Sequence, residues 1–133
     1  MNAEAKPKTK GELEASFTRE IVRFEKEYLG RGPADARTYL INDIVMVRLR
    51  GILTPAEEKL SENKEGRALV KEARRQLFET SRPILEGFVR EILDAELVDL
   101  FADIRHLRVP GSQWVGNQLI AMGMLYYKLK DKL

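Results

Sequence analysis

Residues 26–57, KEYLGRGPADARTYLINDIVMVRLRGILTPAE, decide the fold. Two strand-like runs, Thr38 to Ile41 and Ile44 to Leu49, are separated only by Asn42-Asp43. Both of those residues tolerate positive φ, so the connection suits a tight hairpin. Along the second run Val45, Val47 and Leu49 fall on one face, and Met46, Arg48 and Arg50 on the other. One face is therefore expected to pack on helices, while the other is at least partly polar, as in an antiparallel sheet covered on one side.

The flanks of this stretch are helical. Leu13, Phe17, Ile21, Phe24 and Tyr28 share one face of a helix from about Gly11 to Leu29. Gly30-Arg31-Gly32-Pro33 ends it, because glycine accepts the left-handed cap and proline cannot continue the helix. On the other side Thr54 is the expected N-cap, Pro55 suits the first helical position, and Glu57 completes a Thr-x-x-Glu capping box. That short helix should end near Leu60. A longer helical pattern runs from about Lys64 to Leu93, with Val70, Ala73, Leu77, Ile84, Phe88 and Ile92 in one stripe and Leu69, Leu85, Val89 and Leu93 widening it. Pro83 lacks an amide proton, which predicts a kink or break near Thr80 to Arg82.

Glu96 to Arg105 reads as a third strand, with Val98, Leu100, Ala102 and Ile104 alternating against Asp99, Phe101, Asp103 and Arg105. Pro110-Gly111-Ser112 is a turn. From Trp114 to Leu129 the pattern fits two structures. Val115, Leu119, Met122, Tyr126 and Leu129 have helical spacing, which favours a helix, although Gly116 and Gly123 each weaken one by about 1 kcal/mol. A fully buried strand over Leu119 to Tyr127 would look the same.

The totals bound the class. At 133 residues the chain makes one domain. Residues 1–10 read as a disordered tail and 11–133 as a single α+β domain. Hydrophobic residues at 44% and charged residues at 33% are those of a globular chain, which sets aside disorder. A net charge of only +2 does not by itself call for nucleic acid or an anionic membrane. The absence of cysteine excludes disulfides, thiol nucleophiles and cysteine-ligated metals. The opening MNAEAKPKTK has no apolar segment behind it, so no secretory signal is read there, and no run approaches the ~20 apolar residues of a membrane span. The expected location is cytoplasmic, without direct membrane insertion.

No residue pattern demands chemistry. One histidine, His106, without cysteine makes a poor zinc site. Asp43, Asp99 and Asp103 could share a polar sheet face, but solvated strand and turn aspartates account for them. The Gly-Arg-Gly-Pro run sits at a helix C-terminus, where the dipole repels anions, so it reads as a cap and not a phosphate loop. Arg31, with Arg37, Arg48 and Arg50, forms an anion-binding patch if the four converge, although interspersed acids and the lack of interleaved aromatics favour a solvated face. The segment holding Trp114, Met122, Met124, Tyr126 and Tyr127 is rich in large, adaptable side chains and suits either the core or a homo-oligomer interface.

Two runs, FEKEYLGRGPADARTYLINDIVMVRLRGILTPAEEKL and EGRALVKEARRQLFETSRPILEGFVREI, resemble the bacterial MpsC family. The resemblance rests on Gly30-Arg31-Gly32-Pro33, Asp43, Val47-x-Leu49-x-Gly51, Leu53-Thr54-x-x-Glu57, Glu65-Gly66-Arg67 and Arg74-Arg75, and covers about residues 20–105. That family is named for a component of a sodium-translocating, membrane-potential-generating system. It brings no catalytic residues to transfer. It implies a small protein attached to membrane machinery for ion or inorganic-carbon uptake. Its members follow the third strand with a tight hairpin and a final strand, and His106 to Leu133 does not read that way.

These readings combine into an α+β fold: a small antiparallel sheet of three to four strands with helices mainly on one face, ordered α-β-β-α-α-β and then helix or strand. The expected function is that of a non-enzymatic interaction or accessory subunit of a membrane-associated ion or inorganic-carbon transport system. It is expected to be a homo-oligomer with a membrane-protein partner and no cofactor. The alternatives are a nucleic-acid-binding or regulatory module using the basic hairpin face, or a small-ligand protein. Arg31, Asp43, Arg48 and Arg50 are the candidate interaction residues, and Trp114, Met122, Met124 and Tyr126 the candidate oligomer interface.

Overall fold

The computed structural model describes residues 8–106 and 119–128, with side chains over 8–102. Helix α1 (Lys10–Leu29) leads into the hairpin β1 (Asp35–Ile41) and β2 (Ile44–Arg50). Three helices follow, α2 (Pro55–Leu60), α3 (Lys64–Thr80) and α4 (Arg82–Leu93), then β3 (Glu96–His106) and β4 (Leu119–Lys128). The four strands form one antiparallel sheet in the order β1-β2-β4-β3.

Local signals explain most boundaries. Thr9 caps α1 through a reciprocal box with Glu12, so the helix begins at Lys10, inside the stretch read as a tail. Gly30 ends it in the left-handed conformation, φ 85°. Asn42 takes φ 54° in the hairpin turn. The predicted Thr54-x-x-Glu57 box forms, with Pro55 opening α2. The long helical pattern breaks at Ser81, two residues before Pro83, into α3 and α4.

The helices lie on the face of the sheet that carries Val45, Val47 and Leu49, each under 5% exposed. Phe17, Ile21 and Phe24 of α1 meet Leu85 and Val89 of α4 over this face. Phe24 packs edge-on against Phe88 at 6.5 Å and tilted against Phe78 at 5.9 Å. Tyr28, expected on the buried face of α1, is instead exposed, and Leu29 takes the inward place at the helix end.

Three expectations need correction. The first concerns α3, whose inward face is Gly66, Val70, Arg74 and Phe78, while Leu69, Ala73 and Leu77 are exposed. Val70 of the expected stripe does face inward, but Arg74 and Phe78 take the contact in place of Ala73 and Leu77. Gly66 explains part of the difference. A Cβ built there would lie 1.5 Å from the Leu60 carbonyl oxygen, so only glycine lets α3 approach the end of α2. Arg74 explains the rest and is described below.

The second correction is in β3. Its register shifts between Leu97 and Asp99, a bulge that resets the alternation. Leu97 and Leu100 are buried, whereas Val98, expected to share the face of Leu100, is 60% exposed. The third is the last element. The helical spacing favoured over Trp114 to Leu129 gives way to strand β4, paired along its length with β2 on one side and β3 on the other. Two ladders satisfy its backbone, which outweighs a helical spacing already weakened by Gly123. Residues 119–128 thus take the strand alternative that the sequence left open.

Candidate interaction surface

Antiparallel register brings outward residues of neighbouring strands opposite one another. On the face turned away from the helices, Ile41 of β1 pairs with Ile44 of β2, Tyr39 with Met46, Arg37 with Arg48, and Asp35 with Arg50. The same register continues into β4, where Tyr126 stands opposite Ile44, Met124 opposite Met46, and Met122 opposite Arg48. On β3, Phe101 pairs with Met124 and Asp103 with Met122. The result is an apolar band across the sheet with a basic corner on β1 and β2.

The band is open. Phe101 is 53% and Ile41 47% exposed, and Tyr39, Ile44 and Met46 are half-buried. In the basic corner Asp35 stands opposite Arg50 but makes no ion pair with it among the described residues. Arg37 and Arg48 are a directly opposed like-charge pair, which is unfavourable by itself. Neither they nor Arg50 make an ion pair or side-chain hydrogen bond among the described residues, and the buried Nε of Arg50 has no partner there. Guanidinium groups arranged this way suit planar anions such as carboxylates.

The candidate interaction residues therefore separate. Arg48 and Arg50 lie together on the open face, joined by Arg37. Arg31 does not converge with them: its Nη1 donates to the Leu53 carbonyl at 2.9 Å and ties the loop after α1 to the segment before α2. Asp43 is an exposed turn residue at the far end of β2. Of the candidate oligomer residues, Met122, Met124 and Tyr126 lie on β4, and Trp114 falls outside the described residues. The arginine face and the methionine-rich segment, read from sequence as separate candidates, belong to one sheet. No group of three or more histidine, aspartate or glutamate residues is placed to hold a metal among the described residues.

Sequence reading missed a second constellation beneath this face. Arg74 is 1% exposed. Its Nε and Nη2 donate to the two oxygens of Glu57 at 2.9 and 2.6 Å. Nη1 donates to Glu25 Oε1 at 3.1 Å, and Nη2 also to the Ile52 carbonyl at 2.8 Å. One guanidinium thus ties α1, the β2–α2 connection and the α2 cap to α3. Glu57 serves twice, since its Oε1 also accepts from the Thr54 backbone N–H.

The two carboxylates are held differently. Glu25 is fully buried, and its Oε2 makes no hydrogen bond among the described residues. Burial pushes its carboxyl up to about 7 against the pull of Arg74. At Glu57 burial also pushes upward, but hydrogen bonds from Arg74 and the Thr54 backbone outweigh it and leave the carboxyl below its usual range. The signal available in sequence was Arg74 beside the capping box in the family-like motifs. Its burial was not readable, because arginine on a helix is ordinarily solvated.

Comparison with known proteins bears on this arrangement. Uncharacterized protein YbcI of Bacillus subtilis (strain 168) is 34% identical over 97 residues, 73% of this chain and 78% of that protein. Uncharacterized protein YrhF of the same organism is 33% identical over 87 residues, 64% of this chain and 70% of its own. No solved structure matches the chain. The family model described as "Na+-translocating membrane potential-generating system (MpsC)" matches residues 9–107, from the α1 cap to the end of β3 and so including every member of the Arg74 constellation. With that match spanning most of the sequence, the chain belongs to the MpsC family.

Proposed function

We propose that the protein is a non-enzymatic interaction subunit serving a membrane-associated ion or inorganic-carbon transport system, working from the cytoplasmic side. The observation that carries this reading is the open sheet face, where an apolar band of Tyr39, Met46 and Phe101 adjoins Arg37, Arg48 and Arg50, which make no ion pair among the described residues. That composition, an apolar centre with aromatics, methionine and arginine, is the one enriched at interface centres. The family description supplies the link to a sodium-translocating membrane system. No helix among the described residues is long and apolar enough to cross a membrane, and in this reading the connection to the membrane runs through a partner protein.

The test is made in cells. A strain lacking the gene is assayed for sodium-dependent membrane potential and for growth limited by bicarbonate. Wild-type chain should restore both. A Met46→Glu/Arg48→Glu variant, verified as folded by circular dichroism, should restore neither. An unchanged phenotype on deletion, or full rescue by the variant, refutes the proposal. The arginines also support a second reading, a phosphate-bearing nucleic-acid partner, and failure to bind mixed oligonucleotides at low salt removes it.

A further inference from the structure

We infer that the open sheet face closes on the same face of a second copy, forming a two-fold sandwich in which β1 of one protomer lies over β3 of its partner. This rests on the reading of that face as the interaction surface and names what occupies it.

Four observations lead there. First, the face turned away from the helices leaves Ile41 47% and Phe101 53% exposed, and packing of sheet on sheet is one architecture that buries such side chains. Second, association through the sheet edges is obstructed. On β1 the Leu40 N–H is taken by the Glu14 carboxylate at 2.8 Å, and Thr18 Oγ1 bonds Thr38 Oγ1 at 2.8 Å, so α1 closes over that edge. On β3 the bulge at Leu97–Asp99 interrupts the edge, and Arg82 Nη2 occupies the Val98 carbonyl.

Third, the area limits the strength of the contact. Four strands, β1 and β2 being seven residues each, make a face of roughly 19 by 23 Å, or about 440 Å² before side-chain relief. Specific interfaces begin near ~500 Å² per partner. The face falls just short of that size, which fits a weak dimer that dissociates on dilution.

Fourth, the face is complementary to itself in one arrangement. The register forms a row Arg37–Arg48–Met122–Asp103 running from β1 through β2 and β4 to β3. A two-fold axis close to parallel with the strands, passing between β2 and β4, exchanges the two edges. It sets the Arg37 position of one protomer over the Asp103 position of its partner, and the Ile41 position over that of Asp99. Arg37, which stands opposite a like charge in its own sheet, then shares a row with Asp103 of the second copy. In the neighbouring row, Tyr39–Met46–Met124–Phe101, the same operation places Tyr39 against the partner's Phe101, an aromatic pair made twice.

The experiment is light scattering over a dilution series with charge-swapped chains. Wild type should have about twice the 15.3 kDa chain mass when concentrated and fall towards 15.3 kDa on dilution. Two variants, Arg37→Asp/Arg48→Asp and Asp103→Arg, should each be folded by circular dichroism and monomeric. Mixed one to one, they should recover the dimer, since both contacts then join opposite charges. A wild-type monomer at every concentration overturns the inference, even if that monomer binds anionic phosphatidylglycerol vesicles through the arginines. A dimer that either swap leaves intact, or a mixture that remains monomeric, overturns it too. The cellular assay reports on the face and light scattering on its occupant, so monomeric wild type with a failed Met46→Glu/Arg48→Glu rescue sinks the dimer alone.

Discussion

Replacing Glu25 with glutamine should flatten the dependence of folding stability on pH between 5 and 8. In the folded chain the carboxyl is raised from the usual 4.5 to about 7 by burial, with one oxygen on Arg74 and the other unpartnered. A raised carboxyl binds more protons folded than unfolded, so its contribution is fully present below pH 4.5 and is lost as pH rises through 7. A shift of this size corresponds to roughly 3 kcal/mol in total, of which roughly 2 to 3 kcal/mol falls between pH 5 and 8. Glutamine keeps an oxygen to accept from Arg74 and never ionises. The stability of wild type relative to Glu25→Gln should therefore fall by roughly 2 to 3 kcal/mol from pH 5 to pH 8. Urea unfolding followed by circular dichroism at each pH measures both chains, and every other titrating group cancels in the comparison. Glu57 acts in a separate window. Its carboxyl lies below the usual range, so its contribution holds above about 4.5 and is lost on further acidification. Parallel profiles for the two chains, with a constant difference from pH 5 to 8, would refute the buried, proton-holding role of Glu25.

Two further outcomes follow from the same packing. Arg74→Met should cost roughly 3 to 5 kcal/mol at neutral pH, because Glu57 and Glu25 then lose their buried counter-charge, and less at pH 5, where Glu25 is neutral. Urea midpoints at the two pH values check both parts, and an equal loss at each would contradict the coupling. Gly66→Ala should destabilise by roughly 1 to 3 kcal/mol, since its methyl group meets the Leu60 carbonyl and α3 must shift. A change below ~0.5 kcal/mol in the same assay would show that α3 does not depend on that approach.

What the sequence by itself determined lies within a few residues along the chain. The Thr54-Pro55-Glu57 start, the Gly30 stop, the Asn42 turn and the break before Pro83 are hydrogen bonds or steric limits set by near neighbours, so the residues suffice to place them. The inward face of β2 was legible for a related reason, because Val45, Val47 and Leu49 alternate without interruption. The tertiary structure alone decided the rest. Arg74 is buried by partners 17, 22 and 49 residues away, and its burial turns α3 off the face that its leucines suggested. One extra residue at Val98 reversed the start of β3, because a period of two has no tolerance for insertion. The candidate surface was half visible. Arg48 and Arg50 could be seen to share a face with Met46, but not that β4 would enter between β2 and β3 and set Met122 opposite Arg48. Strand pairing is chosen by distant backbone seeking hydrogen-bond partners, and neither β2 nor β4 carries a local signal that names the other.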